Sequence, residues 1–313
     1  MKMIVLAIAA AIVAVPAIAS ADDAPRTVVT KSGERVTGSV VSRSEKEIVI
    51  DSAAMGTVTI GAANIDNVVG PDGKAEPYTP VADPGLWGTG ILSGWSRQFE
   101  LGVNGTAGTT DSAAINAQFL ATTDNDDYRS TFGAWHFLST DNNSTSRNQT
   151  RVFGTYDKKI DGGPWFVFGR LQYDNDSNMI WENRVSGFAG PGYEFVKTDT
   201  YELIGRVGVG YTHEFGGNTP DDYDDSRFEA LIGFDGKWKI DSNQSFSYGS
   251  YYYPSLENFD QGRVVSYLGY QADLSKSKGL GFHTGIEHTY EFSTPGEDEH
   301  NTLRYYMNLV MKM

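Results

Sequence analysis

The chain has no cysteine among its 313 residues, which excludes thiol catalysis, disulfide frameworks and thiolate metal sites together. It also lacks a basic face. Its 25 lysines and arginines stand against 40 acids, a net charge of −15, whereas a nucleic-acid binder needs the opposite balance. Charged residues are only 21% of the chain, and no apolar run after the N-terminal segment is long enough to cross a bilayer as a helix. What it has in excess is 35 glycines, 17 tyrosines and 16 phenylalanines. That composition argues against a helical globule or coiled coil and for a secreted or envelope protein rich in β structure.

Residues 1–21 read as a secretory signal: Lys2 is the charged start, Ile4 to Val15 the apolar stretch, and cleavage is expected after Ala21. Residues 25–70 carry short β-rich runs, such as Val28-Val29, Val36 to Val41, Ile48 to Ile50 and Thr57 to Ile60, separated by turn residues. This spacing predicts a small, bent, SH3-like β module. Residues 71–94 hold Pro71, Pro77, Pro80 and Pro84 among several glycines and read as a linker of restricted flexibility.

From Trp95 onward the pattern is one of long alternating strands. In 201–213, Tyr201, Leu203, Val207, Val209 and Tyr211 share one face, with Glu202, Arg206 and Thr212 on the other. The same alternation marks twelve candidate strands: 95–104, 112–122, 128–138, 147–159, 164–174, 182–194, 200–213, 226–239, 244–254, 262–273, 280–292 and 302–312. Strands of soluble sandwiches run to about 5–6 residues, whereas membrane-crossing strands need about 9–11. Connections predicted at 105–111, 139–146, 175–181, 214–225 and 255–261 are longer than those between them, which places both termini on the short-turn, periplasmic side. Aromatics near strand ends, among them Tyr128, Trp165, Tyr201, Tyr211, Trp238 and Tyr290, fit a girdle at the headgroups. The expected fold is all-β: a twelve-stranded antiparallel transmembrane barrel over 95–313, preceded by the small module.

Several ordered segments then carry a resemblance. They are Tyr156-Asp157-Lys158, Trp165 to Phe168, Tyr173 to Asp176, Arg184 with Gly187, Gly190-Pro191-Gly192-Tyr193, and Gly205 to Tyr211. From about Trp95 to Met313 the chain resembles the salt-induced outer membrane proteins, a family catalogued as a domain of unknown function. The resemblance implies an outer-membrane β-barrel and brings no substrate, cofactor or catalytic residue with it. The implied surroundings are outer-membrane lipid and lipopolysaccharide, with the barrel-assembly machinery as a partner during biogenesis.

With the apolar face toward lipid, the opposite face lines the lumen. That face carries Glu100, Arg129, Arg151, Arg170, Arg184, Glu202, Arg206, Glu229, Asp235, Lys237, Arg263, Asp273, Glu287 and Arg304. Twelve strands make a narrow bore, so these mixed charges either pair across it and close it or line a small hydrated pore. Asp221, Asp222, Asp224 and Asp225 form an acidic cluster in a predicted outer loop; divalent cations are conceivable ligands, but the spacing of a calcium loop is absent, which favours a solvated loop. A lipid-modifying barrel enzyme would need a Ser–His pair facing the bilayer, for which His288 and Ser266 are the candidates; no nucleophile motif supports them, so no enzyme is expected. His213 beside Glu214 is a candidate pH-responsive pair. The other reading is a soluble extracellular β-sandwich that binds carbohydrate, against which the strand lengths count.

Overall fold

The computed structural model describes residues 24–43, 47–79, 83–106, 112–141, 144–217, 223–275, 279–292 and 301–313. The expected signal segment lies outside them. The chain divides into two compact units that meet in sequence between Gly94 and Trp95.

The first unit is a six-stranded antiparallel sheet built from β1 (Arg26–Thr30), β2 (Arg35–Arg43), β3 (Glu47–Ser52), β4 (Gly56–Gly61), β5 (Ile65–Val69) and β6 (Ala75–Pro77), in the order β4-β3-β2-β1-β5-β6. Alternation buries Val28, Val36, Ile48, Ile50, Ile60, Ile65 and Val68 in one cluster. At Gly38 the backbones of β2 and β3 approach closely: a Cβ there would sit 2.2 Å from the Asp51 carbonyl oxygen. The segment expected to be a linker is more structured than its prolines suggested. Ala75–Pro77 pairs with β5, and residues 83–94 close a compact loop on Asp83, whose carboxylate accepts from the Gly85 and Gly94 amides at 3.0 and 2.8 Å.

The second unit is a closed barrel of twelve antiparallel strands. They are β7 (Ser96–Thr106), β8 (Ser112–Asp124), β9 (Tyr128–Asp141), β10 (Ser144–Lys159), β11 (Trp165–Asp176), β12 (Asn183–Lys197), β13 (Tyr201–Gly216), β14 (Tyr223–Lys239), β15 (Gln244–Pro254), β16 (Gly262–Ser275), β17 (Leu280–Phe292) and β18 (Asn301–Lys312). Every candidate strand is present, and a single closed sheet rules out the two-sheet sandwich. The largest departure lies at the end away from the termini. Within the connections expected at 139–146 and 214–225, residues 139–141, 144–146, 214–216 and 223–225 continue the strands, as in the Ser139–Ser146 hydroxyl pair at 2.7 Å between β9 and β10. Between β9 and β10 both faces of that ladder are polar, so the alternation that reveals a strand in the sequence disappears.

The outer face is apolar. On β13, Val207, Val209 and Tyr211 are exposed while Arg206 and Thr212 are buried, and Val167, Leu171, Phe228, Leu303, Tyr305 and Met307 are exposed on other strands. Tyr201 and Tyr211 are ten residues apart on β13, about 33 Å along the strand and about 25 Å in height at a tilt near 40°. That matches the apolar band of a membrane-spanning barrel, about 25 Å tall. Aromatic pairs mark both of its edges. Tyr128–Tyr156, Trp165–Tyr193 and Phe246–Tyr270 lie at the short-turn edge, with Tyr211–Phe228 and Tyr252–Phe292 at the other. No described helix is long and apolar enough to cross a membrane; this chain crosses with strands.

Closure is uneven. Sixteen residue pairs set the register of β13 with β14, but only four, from Leu309↔Leu101 to Lys312↔Gln98, set that of β18 with β7.

Candidate functional site: a charged lumen

A closed barrel with an apolar exterior turns its polar face inward, and that face is a network of ions. Near the end away from the termini, Arg184 on β12 donates from Nε to Glu214 at 2.5 Å and from both Nη atoms to Glu291 on β17 at 2.8 Å. Glu214 is also held by two bonds from Arg227, at 2.8 and 2.9 Å. Arg227 in turn reaches Glu229 at 3.0 Å, and Arg263 on β16 reaches the same carboxylate at 2.9 Å. Trp181, from the connection between β11 and β12, lies buried beneath the Arg184 guanidinium, 3.9 Å from the ring centroid.

In the middle, Arg151 on β10 spans to Asp174 at 2.5 Å and to Glu287 on β17 at 3.2 Å. Arg304 shares Glu287 at 3.5 Å and stacks on Trp135 at 3.8 Å. Glu100, fully buried, accepts from Asn308 at 2.9 Å and lies 2.9 Å from His283 Nδ1. Toward the short-turn end, Arg129 on β9 meets Asp157 at 2.8 Å, Glu194 at 2.8 Å and Glu202 at 3.1 Å. Arg206 donates to Asp157 at 2.7 Å and bonds Asp235, which also accepts from Tyr251 and, at 2.7 Å, from Tyr267. Asp273 pairs with Lys312 at 2.5 Å. Lys237 shares the inward parity of Asp235 and is exposed.

The fourteen sequence candidates therefore share the interior face, and the structure ties most of them together. It adds Asp157, Asp174, Glu194, Glu214, Arg227 and Glu291, which are not among the fourteen lumenal candidates read from the sequence. Most have the parity of residues that it did: Glu291 follows Glu287 by four positions, Asp174 follows Arg170 by four, and Arg227 precedes Glu229 by two. At Glu194 the parity is interrupted, because the register shifts between it and Val196.

The acidic cluster needs a correction. Asp221 and Asp222 lie outside the described residues, while Asp224 and Asp225 belong to β14 and not to a loop. Asp225 is bonded to Arg227 at 2.8 Å, so its charge is already matched. Among the described residues no group of three or more His, Asp or Glu side chains is arranged to hold a metal ion. His213 and Glu214 face opposite sides of β13: His213 Nδ1 contacts Ser226 at 2.7 Å on one face while Glu214 joins the arginines on the other. Ser266 and His288 are direct cross-strand partners, yet their side chains bond elsewhere: Ser266 to Ser250 at 2.8 Å and His288 Nε2 to Asn301 at 2.6 Å.

No curated protein matches this sequence. Among solved structures, the chain is similar to the NanC porin, at 10% identity and a TM-score of 0.43 over 70% of this chain and 99% of that one. It is similar also to the COG4313 outer membrane channel from Pseudomonas putida F1, at 6% identity and a TM-score of 0.40 over 70% and 94%. The KdgM porin, solved in complex with disordered oligogalacturonate, is similar at 9% identity and a TM-score of 0.36 over 70% and 99%. The model of the family described as "protein of unknown function, DUF481" matches residues 99–313, and this outer-membrane β-barrel belongs to that family.

Proposed function

We propose that the chain forms a narrow channel whose bore is divided by transverse ion pairs and passes solute only when they part. The observation that carries this reading is the Arg184–Glu291 pair, which joins β12 to β17, five strands away around the barrel, and lines an interior cavity of about 440 Å³. The bidentate bonds of 2.8 Å between the two buried side chains hold the closed arrangement. The bonds made by Ser266 and His288 favour a channel over a lipid-modifying enzyme. Residues 1–21 act as the secretory signal, and residues 25–70 sit in the periplasm, because Ser96 and Lys312 both lie at the barrel end with the short turns. Lipid and lipopolysaccharide surround the barrel, and the barrel-assembly machinery inserts it.

The test is conductance of the detergent-folded protein in a planar bilayer. Small, infrequent steps from the wild type and larger, longer ones from Arg184→Ala are expected. A large steady conductance from the wild type would mean an open bore. Silence from both the wild type and Arg184→Ala would make the barrel a structural component of the envelope.

A further inference from the structure

Seven arginines and five carboxylates line the lumenal cavity. Six of those arginines lie within salt-bridge reach of a carboxylate. Arg170, on β11, is different. Among the described residues its only hydrogen bond runs from Nη2 to Gln172 Oε1, at 3.0 Å, and its guanidinium lies over the rings of Tyr251 and Phe153, at 5.0 and 5.8 Å. Asp235, in the same cavity, is occupied by Arg206 and two tyrosine hydroxyls. The remaining N–H groups of Arg170 have no hydrogen-bond acceptor among the described residues. On the facing wall, Arg304 of β18 shares its one carboxylate with Arg151, and its Nε is buried without a partner.

Unspent guanidinium donors in a confined, partly apolar space favour one kind of occupant. A group carrying oxygen atoms and a negative charge takes two parallel N–H bonds from a guanidinium; a cation is repelled, and a neutral polyol leaves the charge unmatched. The rings of Trp135 and Tyr251 stack on the two guanidiniums, and both arginines line the cavity. Its volume lies in the range of small-molecule sites, about 300–1,000 Å³.

We propose that the lumenal cavity binds a small oxyanion, carboxylate or phosphate, seated on Arg170 with Arg304 opposite it. The inference rests on the channel reading for the route by which the anion arrives, but its test does not require the barrel to conduct. Calorimetric titration of the detergent-folded full chain, at constant ionic strength in sodium chloride, would use sodium gluconate, sodium phosphate and the uncharged polyol sorbitol. Saturable binding of gluconate or phosphate is expected, with none by sorbitol, and the relative strength of the two anions tells an organic acid from a phosphate ligand. Arg170→Gln is expected to weaken binding by about tenfold or more, as loss of a charge-assisted bond implies, and Arg170→Lys to restore part of it. Equal binding of sorbitol, no saturable binding by either anion, or an unchanged affinity in folded Arg170→Gln would overturn the proposal. The wild-type comparison of anions with sorbitol decides the matter even where Arg170→Gln does not fold, and Arg304→Gln supplies a second variant expected to weaken the anion. A barrel that binds the anion but never conducts keeps this inference and loses the channel; one that conducts without binding does the reverse.

Discussion

Arg184 and Glu291 share two parallel hydrogen bonds of 2.8 Å across the bore, from strands that are not neighbours in the sheet. Because Arg184 also bonds Glu214, its removal takes hydrogen bonds from two buried carboxylates at once. Arg184→Ala is expected to lower unfolding stability in detergent by about 3–5 kcal/mol, and Arg184→Met combined with Glu291→Leu by less, since the double change leaves fewer unmatched charges. Urea titrations followed by tryptophan fluorescence would compare them, and a double variant less stable than the single one would contradict this account.

The lipid-facing assignment has its own test. Val207 sits near the middle of the apolar band and is 55% exposed to the surroundings of the barrel. Val207→Arg should destabilise the vesicle-inserted barrel by about 2–4 kcal/mol, the cost of an arginine near the bilayer midplane. Lys239→Arg, at the short-turn edge, should change little. Equal effects in reversible unfolding from lipid vesicles would mean that the outer face does not meet hydrocarbon.

The N-terminal unit has a separate core. Ile48→Ala removes a fully buried side chain from it and should cost that unit about 2–5 kcal/mol. Limited proteolysis would show cleavage within residues 25–70, while the barrel keeps its heat-modifiable migration on gels. A barrel that unfolds in step with the variant would show the two units to be energetically coupled.

The topology can be read with single cysteines, because the native chain has none. A cysteine at Thr89 should resist a membrane-impermeant maleimide in intact cells, and one at Asn258, in the connection between β15 and β16, should label. The opposite pattern would invert the proposed orientation.

The barrel was legible because lipid and ions impose opposite demands on neighbouring residues. Val207 and Val209 could not share a face with Arg206, so the strand, its length and its inward parity were all readable in that stretch. The way the charges are joined was not readable. Arg184 reaches Glu291 over 107 positions of sequence, and only closure of the sheet, with its stagger, decides which carboxylate meets which arginine. Nor did composition tell a loop from a polar hairpin extension, which is why Asp224 and Asp225 were assigned to a connection. Trp181 gave no sign that it would pack beneath Arg184, because a lone tryptophan in a connection carries no periodicity.

The four-pair contact between β18 and β7 gives the barrel a mechanical weak line. A hoop under tension parts where the fewest bonds cross it, and here that place joins the first strand to the last. The membrane-embedded sheet is therefore a ribbon fastened at its two ends by a short clasp, and the clasp is the step that turns a ribbon with two raw edges into a cylinder with none. Whatever shortens or caps Leu309–Lys312 acts on the whole circumference, while a change of the same size on β13 acts on one stave.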